Sequence, residues 1–142
     1  MKQHYNHKQI GFTLLEMLVV IGIIGMLAGI VGPKVMKYRT DSQIKAAKVQ
    51  IEGLASTLDM YKLDVGSYPS GDQGLEALVQ SPDGAQRWNG PYLQKPKVPL
   101  DPWNNEYKYK SPGEHGKFDI VSLGPDGKEG GEGEDKDITS WE

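Results

Sequence analysis

The sequence predicts an α+β protein: one long N-terminal α-helix, transmembrane in its first half, packed on a small head with a short antiparallel sheet and a C-terminal acidic loop. Three observations carry this. A twenty-residue apolar block, Phe12 to Val31, precedes a polar body. Apolar residues then recur at spacings of three and four from Ile44 to Val65, which is the period of a helix face. Two short alternating runs follow, separated by Gly and Pro and trailed by a glycine-rich acidic stretch; such runs read as strands.

At 142 residues the chain suits one domain, which typically takes roughly 100–200. It has no cysteine, so no disulfide staples it and no thiolate can act as nucleophile or ligand. The histidines are His4, His7 and His115; two of them sit in the first seven residues, which speaks against a multi-histidine metal centre. With 16 basic and 19 acidic residues the net charge is -3. That is not the footprint of a nucleic-acid binder.

The apolar block carries one charge, Glu16. Roughly 20 apolar residues cross a bilayer core as a helix, so one membrane segment and one water-facing domain are expected. A cleaved secretory signal fits poorly. The block exceeds the usual core of about 7–15 residues, and Gly32-Pro33 stands where a small-x-small cleavage site should be. Loop charge conflicts with an exported body: Lys2 and Lys8 precede the block, while Lys34, Lys37 and Arg39 follow it.

Glu16 has two physical readings. A carboxylate deep in a bilayer costs about 2.5–3.5 kcal/mol and such groups are generally paired. At 1.5 Å per residue Glu16 also lies within ~6 Å of the helix start, near enough to snorkel to the interface.

Thr40, Asp41 and Ser42 lead into the stripe Ile44, Ala47, Ile51, Leu54, Leu58, Tyr61 and Val65. Pro33 lacks an N–H and clashes with the preceding turn, and Gly29 and Gly32 weaken the helix there. One helix from Phe12 to Lys62 is therefore expected, kinked or locally melted around Gly29 to Pro33. Its stripe packs either on the head's own strands or on a coiled-coil partner.

Gly66 and Pro69 end the helix. Asp72 to Gln80 reads as a short helix capped by Asp72. From Ser81 to Trp103 an irregular loop is expected, pinned by Trp88, Pro91, Tyr92, Leu93, Pro99 and Trp103. Glu106 to Lys110 and Phe118 to Leu123 read as strands, joined through the turn-rich Ser111 to Gly116 into an antiparallel hairpin. Ile138 to Trp141 offers a third short strand. His115 reads as a solvated turn residue without a catalytic role.

Gly124 to Asp137 holds six carboxylates and five glycines. It is either a self-repelling, solvated acidic segment or a calcium loop. Ca²⁺ takes 6–8 oxygens from carboxylates and carbonyls in flexible geometry, and glycines let a backbone curl carbonyls inward. The EF-hand spacing is absent.

Several strings resemble a known family. Gly11 followed by Phe12-Thr13-Leu14-Leu15-Glu16 and the apolar run resembles the class III signal of the type IV pilin superfamily, which includes the pseudopilins. The strings D-V-G-S-Y-P, G-P-Y-L with P-L-D-P-W-N, and L-G-x-D-G…G-G-E-G…D-I resemble the major pseudopilins of type II secretion systems. The resemblance spans leader, helix, Pro-rich loop and acidic loop.

It implies three parts. Residues 1–11 are a leader removed by prepilin peptidase, residues 12–33 a transmembrane and filament-core helix, and residues 34–142 a periplasmic head. It also implies cleavage between Gly11 and Phe12, N-methylation of Phe12, and pairing of Glu16 with the N-terminal amine of a neighbouring subunit. Pro33 matches the family's helix proline. For the acidic loop the resemblance implies Ca²⁺ held by Asp126 and Asp137, with carbonyls such as that of Leu123 and with Asp135 as a further ligand. It would replace the disulfide common in pilus-forming relatives. The implied partners are further copies of the chain, minor pseudopilins, an inner-membrane assembly platform, the peptidase and the membrane. The implied role is a non-enzymatic subunit of a periplasmic filament that drives folded proteins across the outer membrane, with the chain anchored once in the inner membrane. The competing readings are a type IV pilus pilin, a minor pseudopilin, and a membrane-anchored calcium-dependent enzyme or sensor.

Overall fold

The computed structural model describes residues 11–142. The predicted leader, Gly11 apart, lies outside the described residues. The chain divides into two compact units, residues 1–39 and 40–142. A single helix, α1 (Leu14–Val65), runs for 52 residues.

The expected local melting around Gly29 to Pro33 does not occur, because α1 stays helical through Pro33. The proline ring meets the carbonyl of residue i−4 and crowds the Cβ of residue i−1. Those residues here are Gly29 and Gly32, and Gly32 has no Cβ to crowd. One lost rung costs about 3 kcal/mol, which cooperative helix on both sides can carry.

In the first unit α1 presents its apolar residues outward. Phe12 is 80% and Leu14 79% exposed, and none of the most apolar window is buried. It is long and apolar enough to cross a membrane.

In the second unit the predicted stripe becomes the core. Ala47, Ile51, Leu54, Leu58 and Tyr61 are buried, with Ile44 and Val65 packed at the margins. The head itself covers them, through Leu75, Leu78, Tyr107, Ile120 and Ile138. Apolar area removed from water at roughly 25 cal/mol per Å² is the main force holding the two together.

The sheet has three antiparallel strands, β1 (Lys108–Lys110), β2 (Asp119–Ser122) and β3 (Ile138–Thr139), in the order β1-β2-β3. The predicted hairpin is present, with Tyr109 opposite Ile120. The strands are shorter than the alternating runs, and Tyr107 lies buried just before β1. Its hydroxyl donates to Gln50 on α1. Burial, with the Asp101 carboxylate nearby, holds the Tyr107 phenol well above its ordinary pKa, so it remains a donor.

Three local expectations need correction. The helix predicted over Asp72 to Gln80 is a single 3-10 turn, Leu75–Leu78, and Asp72 does not cap it. Ser70 and Gln73 instead bond reciprocally, Ser70 N–H to Gln73 Oε1 at 3.0 Å and Gln73 N–H to Ser70 Oγ at 3.3 Å. Gly74, at φ 62, then turns the chain into the short helix. The loop from 81 to 103 is irregular as expected, but Pro91 is exposed and pins nothing. The anchors are hydrogen-bonded aromatics. Trp88 Nε1 donates to the Ala77 carbonyl at 2.8 Å, and the Tyr92 hydroxyl to Asp64 at 2.9 Å. Finally, His115 is not simply a solvated turn residue. Its ring stacks on Trp141 with centroids 3.9 Å apart, and its Nδ1 lies 3.2 Å from Asp119. This ties the hairpin turn to the residues just after β3.

Candidate functional site

Two places carry the predicted functional residues. The first is the start of α1. Gly11 and Phe12 precede the helix, and both are exposed. Thr13 and Glu16 form a reciprocal cap: Thr13 N–H donates to Glu16 Oε2 at 2.7 Å, and Glu16 N–H to Thr13 Oγ1 at 3.2 Å. A Thr-x-x-Glu box satisfies two of the orphan donors at a helix start, and a carboxylate there suits the positive end of the helix dipole. The T-L-L-E string is the sequence signal for Thr13 as the partner of Glu16. Pro33 lies inside α1 and is exposed.

The second place is the loop between β2 and β3. All five of its glycines have positive φ: Gly124, Gly127, Gly130, Gly131 and Gly133. A side chain is disfavoured in that region. At Gly131 space also forbids one, because a Cβ would lie 2.3 Å from the Asp135 carbonyl oxygen. The loop is therefore curled on itself, with Gly131 packed against the Asp135 carbonyl. Gly133–Asp135 adds one 3-10 turn, closed by Asp135 N–H donating to the Glu132 carbonyl at 3.2 Å.

The four residues expected to hold a cation sit differently within it. Leu123 is buried where β2 ends. Asp126 is exposed, and its Oδ1 accepts the Lys128 N–H at 3.1 Å, which fixes a tight local turn. The Asp135 side chain is exposed. Asp137 is partly buried, and its Oδ2 accepts the Gly130 N–H at 2.9 Å across the loop. Its Oδ1 is buried without any hydrogen-bond partner.

That orphan oxygen tests whether a metal fits. A buried acceptor left without a donor costs about 1–3 kcal/mol, more when charged. A cation satisfies it where no N–H does. Among the described residues no three His, Cys, Asp or Glu side chains gather to hold a metal, so the acidic residues do not form a carboxylate cage. A site here has to be built from one or two carboxylates and several carbonyls. Hard, flexible oxygen coordination of that kind is what Ca²⁺ accepts and what the rigid octahedron of Mg²⁺ resists.

Sequence reasoning also missed a buried polar group beneath the loop. Asp101 and Ser122 are 3% and 0% exposed, and the Ser122 hydroxyl donates to Asp101 Oδ2 at 2.6 Å. The D-P-W-N string is visible as a pattern, but nothing in its spacing says that it packs against β2.

The chain is similar to known proteins over most of its length. A family model described as type II secretion system (T2SS), protein G matches residues 34–141, and one described as the prokaryotic N-terminal methylation motif matches residues 6–32. A type II secretion system core protein G from Pseudomonas aeruginosa is 50% identical over 141 residues, covering 96% of this chain and 98% of the relative. The core protein G of Vibrio cholerae is 47% identical over 137 residues, covering 94% and 92%. The crystal structure of the major pseudopilin from the type 2 secretion system of enterohaemorrhagic Escherichia coli is similar with a TM-score of 0.63 and 35% identity. It covers 77% of this chain and 95% of that one. With the family model matching most of the chain and identity reaching half, this chain belongs to the type II secretion system protein G family, the major pseudopilins.

Proposed function

We propose that the chain is the repeating subunit of a helical periplasmic filament whose growth drives folded proteins across the outer membrane. The observation that carries this is the apolar first part of α1, none of whose most apolar window is buried, in a chain similar to core protein G almost end to end. Such a helix needs lipid before assembly and neighbouring copies afterwards. Residues 12–33 cross the inner membrane once, and the head from residue 34 lies in the periplasm. A fibre requires a heterologous contact that does not close into a ring. The role is structural rather than catalytic, and minor pseudopilins and an inner-membrane platform are its assembly partners.

Prepilin peptidase cuts after Gly11 and leaves Phe12 as an N-methylated N-terminus. The match of residues 6–32 to a methylation motif supports this reading. In the lone subunit Glu16 caps its own helix through Thr13. In the filament the N-terminal amine of a neighbour offers it a full positive charge in a low-dielectric core. There a charge-assisted bond is stronger than a neutral one, and an unpaired carboxylate is heavily penalised.

In the head, Ca²⁺ when bound neutralises the acidic loop and couples folding of the C-terminus to metal binding. The residues that would hold it are the Asp126 and Asp137 carboxylates, with the carbonyls of Leu123 and Asp135. The chain itself presents Asp126 on a tight turn, keeps Gly131 free of a side chain, and leaves Asp137 Oδ1 without a donor.

Intact mass of the protein extracted from membranes, with and without co-expressed prepilin peptidase, tests the reading. Loss of residues 1–11 plus one methyl group is expected, and Gly11→Leu should abolish both. An unprocessed N-terminus in the presence of peptidase would favour an anchored enzyme or sensor instead. Glu16→Val should still insert in the membrane yet form no filaments by electron microscopy.

A further inference from the structure

The residues beneath the acidic loop form a clamp on one amino acid, Gly124. Asp101 organises the chain after the Pro-rich loop. Its Oδ1 accepts the N–H groups of Trp103 at 3.0 Å and Asn105 at 2.8 Å. The backbone closes the same turn, with Asp101 N–H donating to the Asn105 carbonyl at 2.9 Å and Asn104 N–H to the Asp101 carbonyl at 3.0 Å. Asn104 takes φ 69 there, a left-handed conformation that Asn tolerates better than most residues. Gln43 Nε2 on α1 donates to the Pro102 carbonyl at 3.2 Å and anchors the turn from outside.

The turn and β2 together hold both polar groups of Gly124. Its carbonyl accepts Asn105 Nδ2 at 2.9 Å. Its N–H donates to Ser122 Oγ at 3.3 Å, while the Ser122 hydroxyl donates onward to Asp101 Oδ2 at 2.6 Å. Gly127 rests against the same amide, where a Cβ would lie 3.5 Å from Asn105 Oδ1. Asn105 therefore touches the loop on both sides of Asp126, at Gly124 and at Gly127. Three buried or half-buried side chains are thus committed to Gly124, with Gly127 resting against one of them.

We infer that Asn105, held by Asp101 and acting with Ser122 on Gly124, is a positioning residue for the cation site: it pre-forms the segment from Leu123 to Gly127 so that Asp126 and the Leu123 carbonyl are in place before metal arrives. This rests on the calcium reading above. Ordering a glycine-rich loop has an entropic cost, and a segment ordered in advance does not pass that cost to the metal. Groups that orient metal ligands without touching the metal typically change affinity 10–100-fold when removed.

The test is calorimetric titration of the full chain in detergent micelles with Ca²⁺ alone, together with thermal melts in chelator and in saturating Ca²⁺. Asn105→Ala, at a half-buried position outside the apolar core, should raise the Kd for Ca²⁺ about 10–100-fold and keep a cooperative melt. Ser122→Ala should raise it in the same sense. A purely structural role would lower the melting temperature equally with and without Ca²⁺ and leave the Kd unchanged. That result, in Asn105→Ala alone if Ser122→Ala fails to fold, overturns the clamp and leaves the calcium reading standing. Wild type that takes up no Ca²⁺ overturns both.

Discussion

Asp119 shows how one side chain decides a turn. It is nearly buried on β2, yet it accepts the N–H groups of Glu114 at 2.7 Å and His115 at 3.3 Å and lies beside the His115 ring. Desolvation pushes its carboxyl up, but these donors outweigh it and hold the pKa below the ordinary value of 3.8. Gly113 makes room, since a Cβ there would lie 2.5 Å from Asp119 Oδ1. Asp119→Ala should therefore lower stability by about 1–3 kcal/mol at neutral pH. A depressed folded-state pKa gives stability that is present above the unfolded pKa and lost as pH falls through the folded one. In urea unfolding the gap between wild type and variant should hold from neutral pH to about pH 5 and narrow below about pH 4. A gap that persists unchanged to about pH 2 would show that the charge is not its source. Glu16 yields a second residue-scale prediction. If capping were its whole role, Thr13→Ala would reproduce the Glu16→Val defect. With an intersubunit role, Thr13→Ala retains filaments, counted by electron microscopy, and Glu16→Val does not.

For the elements, α1 has two different jobs in one continuous helix. Its second half presents a narrow stripe to the head, and Leu58 is fully buried at the centre of that stripe. Leu58→Ala should cost about 2–5 kcal/mol through lost transfer energy and a cavity, read from the midpoint of urea unfolding. The irregular loop has no ladder of its own, so single bonds matter. Trp88→Phe keeps most of the ring contact with Tyr92 but loses the bond to Ala77. A loss of about 0.5–1.5 kcal/mol is expected, and a variant as stable as wild type would assign the anchoring to packing alone.

On the scale of the whole molecule, the C-terminal third is held by a three-stranded sheet, one stacked His–Trp pair and a loop with six carboxylates. A small head with long Gly and Pro loops has limited core and gains from an additional tie. Ca²⁺ binding only the native state adds about 2.7 kcal/mol at 100 times its Kd. The full chain in micelles should therefore melt lower in chelator and recover with Ca²⁺, while Mg²⁺ should recover little. Asp126→Ala and Asp137→Ala should abolish the response, and Glu129→Ala should largely keep it. Melting curves that coincide in chelator and in millimolar Ca²⁺ would return the loop to a solvated acidic segment.

The sequence by itself determined the elements whose signal is periodic or local. The twenty-residue apolar block, the stripe from Ile44 to Val65 and the alternating Tyr107 and Tyr109 each report burial through spacing along one chain direction. The G-F-T-L-L-E string and the acidic glycine-rich loop were equally legible, since both are contiguous. Tertiary structure decided what spacing does not encode. It reduced the helix expected over Asp72 to Gln80 to one 3-10 turn, Leu75–Leu78, entered through Gly74 without a side-chain cap. It also set Asp101, Asn105 and Ser122 around Gly124, with Ser122 and Asp101 separated by 21 positions in the chain. Such a contact exists only after β2 and the Pro-rich loop have packed, because a buried hydrogen bond is fixed by where folding brings its donor and acceptor, not by how either residue reads in sequence.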